Sequence, residues 1–60
     1  MTKLKMLRKK RGLKITEVAD KLSASPQAVW QQEHRGIQTI NTAKRYAVVL
    51  DCSPLDILEL

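Results

Sequence analysis

The chain contains one cysteine, Cys52, and one histidine, His34. A lone cysteine closes no disulfide within the chain, and one Cys with one His is too small a set to hold a structural zinc. No metal and no cofactor is expected. No stretch reaches the roughly 18 apolar residues of a membrane span. The basic N-terminus is not followed by an apolar signal core. With a single free thiol, these absences point to a cytoplasmic protein that does not engage membranes. Phenylalanine is absent, so Trp30 and Tyr46 are the whole aromatic content. There is no Ser/His/Asp or Cys/His set, no pair of inward carboxylates and no phosphate-cradling glycine loop. The sequence gives no support to an enzyme.

What is present is charge, unevenly placed. The 60 residues carry 11 Lys and Arg against 6 Asp and Glu, a net +5. Eight of the bases precede residue 22: Lys3, Lys5, Arg8, Lys9, Lys10, Arg11, Lys14 and Lys21. The tail reverses the sign, with Asp51, Asp56 and Glu59 and no base after Arg45. Such an asymmetry suits a polyanion on one side of the molecule, nucleic acid being the commonest. A membrane surface is the rival, and a solvated helix face is the plain alternative.

The chain reads as one all-α domain over residues 1–60. A domain of this size buries only ~60% of its unfolded surface, so stability rests on efficient helix packing or on a partner subunit. A first helix runs over about 2–11, with Leu4, Leu7 and also Met6 as candidates for its inner side, and stops at Gly12. A second covers about 15–23, with Val18, Ala19 and Leu22 at helical spacing. Ser25-Pro26 opens a third, because the Ser hydroxyl caps an orphan amide and Pro needs no donor at the first helical position. Gly36 ends it. A fourth spans about 40–50, with Ile40, Ala43, Tyr46, Ala47 and Leu50 on one side and Thr39 or Asn41 as its cap. Ser53-Pro54 repeats the starting device for a short fifth helix, where Asp56 favours the first-turn dipole.

The second and third helices are joined by only Ser23 to Ser25. So short a joint forces the sharp crossing of a helix-turn-helix, whose second helix lies in the DNA major groove. The inner face of that helix would carry Ala28 and Val29. Its outer strip would be Gln27, Trp30, Gln31 and His34. Gln both donates and accepts, and pairs in bidentate fashion with adenine.

Three stretches, LKMLRKKRGLKITEVADKL, SPQAVWQQE and TAKRYAVVLDCSPLDIL, in this order and spacing, resemble the helix-turn-helix domains of the phage Cro and CI repressors and their bacterial XRE-family relatives. The resemblance covers nearly the whole chain. It implies a compact five-helix bundle, a motif over about 15–34, and binding of operator DNA as a symmetric dimer. It places base readers at Pro26, Gln27, Ala28, Trp30 and Gln31. It also implies that Arg8, late in the first helix, pairs with Glu33, near the end of the third.

The chain departs from the family pattern in three places. Where many relatives hold a phosphate with Gln, this chain has Ile15, leaving the contact to backbone amides at the helix start. Where many carry a large apolar residue before the Glu, this chain has Gln32, and the large residue is Trp30. The loop after the third helix is about one residue shorter than usual.

Phosphate contacts are expected at Lys14 and Arg35, which flank the motif, at the helix starts Ile15 and Ser25, and more weakly at His34. Lys5, Lys9 and Lys10 read as solvated. Trp30 is either a core-edge aromatic or a DNA contact, and Tyr46 is core. The tail offers Leu55, Ile57, Leu58 and Leu60, more apolar surface than one short turn can bury. Part should pack on the first helix, and the rest could form a weak homodimer completed on DNA. The reading is therefore a sequence-specific double-stranded DNA binder that regulates transcription at an operator. The rival is a protein-interaction module on the same fold, such as a small antitoxin or anti-regulator.

Overall fold

In the computed structural model, which describes residues 1–59, the chain forms four α-helices and one closing turn. They are α1 (Lys3–Lys10), α2 (Ile15–Leu22), α3 (Pro26–Arg35) and α4 (Ile40–Leu50), followed by a 3₁₀ turn at Pro54–Asp56. Leu60 lies outside the described residues.

Local chemistry sets each boundary. Thr2 caps α1 by accepting from the Lys5 amide at 3.3 Å, and its hydroxyl donates to the Glu33 carbonyl at 2.6 Å. The chain leaves α1 through Gly12 at φ +71°, a left-handed conformation that glycine adopts without a Cβ clash. The α2–α3 joint is turned by Ser23, also left-handed at φ 56°. Ser25 Oγ accepts from the Ala28 amide at 3.2 Å, and Pro26 opens α3. Thr39 stands at the start of α4, but its hydroxyl donates to Thr42 Oγ1 at 2.9 Å and caps no amide. The far end of α4 has no glycine; Asp51 takes the left-handed position at φ 54°. The last carbonyls there are served from outside the helix. Arg11 donates to Leu50 O at 2.9 Å and to Asp51 O at 3.0 Å.

The core draws on all four helices, with Leu4 from α1, Val18 and Ala19 from α2, Val29 from α3, and Ala43, Tyr46, Ala47 and Leu50 from α4, and adds Ile37, Ile57 and Leu58 from outside them. Burial pushes the Tyr46 phenol up from its ordinary pKa; the Arg45 charge opposes the shift and Glu33 adds to it.

Three expectations need correction. Ile40 is 43% exposed, because it opens α4 a full turn ahead of Ala43, where the buried stripe begins. Met6 is exposed, leaving Leu4 and the half-buried Leu7 as the inner side of α1. The fifth helix is only a three-residue 3₁₀ turn. Ile57 and Leu58, just beyond the turn, are both buried. Ile37 and Leu58 form a parallel bridge, and the Glu59 amide donates to Ile37 O at 2.6 Å.

Candidate nucleic-acid interface

Burial divides α3 into two faces. Val29 and Glu33, four residues apart, point into the fold, and Gln32 is half-buried beside them. Pro26, Gln27, Ala28, Trp30, Gln31, His34 and Arg35 are exposed. The exposed Ala28 corrects its expected place on the inner face, which Val29 occupies without it. Gln27, Trp30, Gln31 and His34 follow three- and four-residue spacing, so they form one outward strip. No carboxylate lies on that strip, because the one acid of α3, Glu33, is 2% exposed.

The inner side is held by charge as well as by packing. Arg8 Nε donates to Glu33 Oε2, and Arg8 Nη2 donates to Glu33 Oε1 at 3.2 Å. A third guanidinium donor reaches Leu13 O at 2.8 Å. One side chain thus ties α1 to α3 and to the loop before α2. At the far end of α3, Gln32 Nε2 donates to Gly36 O at 2.7 Å.

Trp30 lies outside the core, 49% exposed. Its ring stacks on His34 with centroids 3.9 Å apart and a 35° tilt. His34 Nδ1 lies 2.9 Å from the Trp30 carbonyl oxygen.

The basic residues divide by task. Lys14 and Arg35 are exposed at the start of α2 and the end of α3. Arg8 and Arg11 are engaged within the fold, by Glu33 and by the end of α4. Lys5, which reads as merely solvated in the sequence, lines a groove with Met1, His34, Arg35 and Glu59. Its placement depends on the start of α1 packing on the end of α3 through Thr2 and Glu33, a long-range contact that no spacing rule reports. Ile15 is half-buried and packs against the core. Just ahead of α2, the Lys14 amide already donates to Glu17 Oε1 at 2.9 Å. A carboxylate of the chain itself therefore occupies the approach to the α2 N-terminus. Ser25, exposed at the start of α3, keeps its hydroxyl proton while the oxygen caps Ala28.

Burial raises the pKa of the Cys52 thiol; Asp56 adds to the shift, Arg11 opposes it and Asp51 adds further, so nothing here activates it as a nucleophile. Among the described residues, no helix is long and apolar enough to cross a membrane. Searches of family models, curated proteins and solved structures yield no match to the chain.

Proposed function

We propose that the protein binds double-stranded DNA sequence-specifically and regulates transcription by occupying an operator, with α2 and α3 acting as a helix-turn-helix of the repressor type. The observation that carries this reading is the outward strip of α3. It offers two amides and two aromatic rings, free of acid, on a helix fixed from behind by Arg8 and Glu33. In this reading Pro26, Gln27, Ala28, Trp30 and Gln31 face base edges. Gln27 and Gln31 are suited to adenine, and Trp30 to a thymine methyl or sugar. Lys14, Ser25 and Arg35 hold phosphates. Because Glu17 covers the approach to α2, the phosphate there is met by the Lys14 ammonium rather than by the Ile15 amide.

One reading helix of about two turns touches few bases. Two copies about a two-fold axis would read half-sites about 34 Å apart. Ile57 and Leu58 are committed to the core of their own chain, which leaves Leu55, 68% exposed, as the described apolar residue of the tail available to a second copy. Selection from random duplexes tests the whole reading. It should return one recurring sequence, whereas a protein-interaction module would enrich none.

A further inference from the structure

The stacked pair on α3 carries a consequence for binding. A carbonyl oxygen only accepts, so the 2.9 Å contact from His34 to Trp30 O places the ring proton on Nδ1. In the neutral ring, Nε2 is then a bare acceptor. A second proton turns Nε2 into a donor and the ring into a cation, while the Nδ1 contact is kept. The indole can hold that cation, since a ring centroid 3.9 Å away lies inside the ~6 Å range of a cation–π contact.

His34 lies seven residues beyond Gln27, which at about 1.5 Å per residue sets it roughly 10 Å back along α3. With the first turns of α3 at the bases, that distance, set against a groove ~12 Å wide, brings His34 to the phosphate wall. A bare Nε2 cannot bond a phosphate oxygen, whereas a protonated one can.

Resting on the DNA reading given above, we propose that Trp30 and His34 act as one contact element in which His34 holds a backbone phosphate only when doubly protonated. The groove beside His34 is also faced by Lys5 and Met1 from the α1 side, by Arg35 and Glu33 of α3, and by Glu59 of the tail. Glu33 is committed to Arg8, and a Glu59 carboxylate oxygen accepts from the Lys3 amide at 2.5 Å. Lysine and arginine, the types of Lys5 and Arg35, are ordinarily cations throughout the pH range in which an imidazole titrates. Histidine is the side-chain type whose ordinary change of charge belongs to that range, and His34 is the one histidine of the chain. Met1 is retained in every variant below, so an N-terminal amine contributes alike to all of them.

The test compares binding of the selected duplex at about pH 5.5 and about pH 8.5, either side of the ordinary imidazole range, over a series of salt concentrations. The parent should show a salt slope steeper by about one unit on the acid side, with affinity higher there by on the order of five- to tenfold at about 0.1 M salt. His34→Gln should retain the shallow slope at both pH values. His34→Lys, a permanent cation, should retain the steep one at both. In the free protein the emission of Trp30, the sole Trp, should change between the two pH values in the parent and not in His34→Gln.

Equal slopes in a parent that binds the duplex tightly at both pH values would overturn the proposal and leave the DNA reading standing. Failure of the parent to bind any duplex at either pH would overturn both. Trp30 emission unchanged with pH in the parent would show that the pair does not form in solution, and the proposal would fall with it.

Discussion

Arg8 meets Glu33 through two donors on two carboxylate oxygens, with 11% of one side chain and 1% of the other exposed. The pair ties the first helix to the back of the candidate reading helix. Removing one partner leaves an uncompensated charge in the interior, which typically costs about 3–5 kcal/mol. Glu33→Ala and Arg8→Ala should therefore each unfold much of this small domain at ambient temperature. Arg8→Met combined with Glu33→Leu should retain the fold and lose less than either single change, although Leu13 O loses its donor. Chemical denaturation of the three variants checks this. A double variant as unstable as the sum of the singles would show that the two side chains are not energetically coupled.

Gly36 and Gly12 both have positive φ, yet their surroundings differ. At Gly12 an added Cβ meets nothing within 4 Å, whereas at Gly36 it would stand 3.0 Å from Glu59 Cγ. The Gly36 backbone, at φ 86° and ψ 155°, lies in a region essentially restricted to glycine. Gly36→Ala should cost about 1–3 kcal/mol in strain before the Glu59 contact is counted. Gly12→Ala should cost less, about 1–2 kcal/mol. Thermal melts of the two variants give the order, and a larger loss at Gly12 would contradict the geometry.

Much of the helical layout is legible in the sequence because its punctuation is local. Ser25-Pro26, Gly12 and Gly36 act within one turn of themselves, and the end of α1 and both ends of α3 fall where those signals place them. The tail is less legible. Leu55, Ile57 and Leu58 carry no helical or alternating period, and their arrangement depends on Ile37, some twenty residues upstream, supplying a backbone partner. Arg11 at the end of α4 and Lys5 beside His34 are likewise products of distant packing. At the candidate site, periodicity finds the outward strip of α3. It leaves Trp30 open, because a ring at that position can turn either inward or outward, and contact with His34 settles it on the outside.

The exposed tail residue provides a test of assembly. Leu55→Glu should leave helical content unchanged, since the side chain is 68% exposed, and should reduce cooperative filling of a palindromic site. Ile57→Ala, at a fully buried position, should instead cost about 2–5 kcal/mol of stability. Footprinting across both half-sites separates the two effects. Unchanged cooperativity in Leu55→Glu would remove Leu55 from the dimer contact.

Lys14 and Arg35 are assigned to phosphates and not to bases. Each Ala variant should weaken selected and random duplexes alike and lower the salt slope by about one unit. Titrations at several salt concentrations read this directly. A slope equal to the parent's would place that residue off the DNA path.

If the outward strip of α3 reads bases, as proposed, the effect should be plainest at Gln27. It lies in the first turn of α3, exposed, with no structural partner among the described side-chain hydrogen bonds, so its removal should leave the fold intact. The measurement is the affinity of parent and Gln27→Ala for the selected duplex and for a random one under identical salt. Gln27→Ala should lose roughly 1–3 kcal/mol on the selected duplex and almost nothing on the random one. Equal losses on both, or no loss on either, would contradict the proposal.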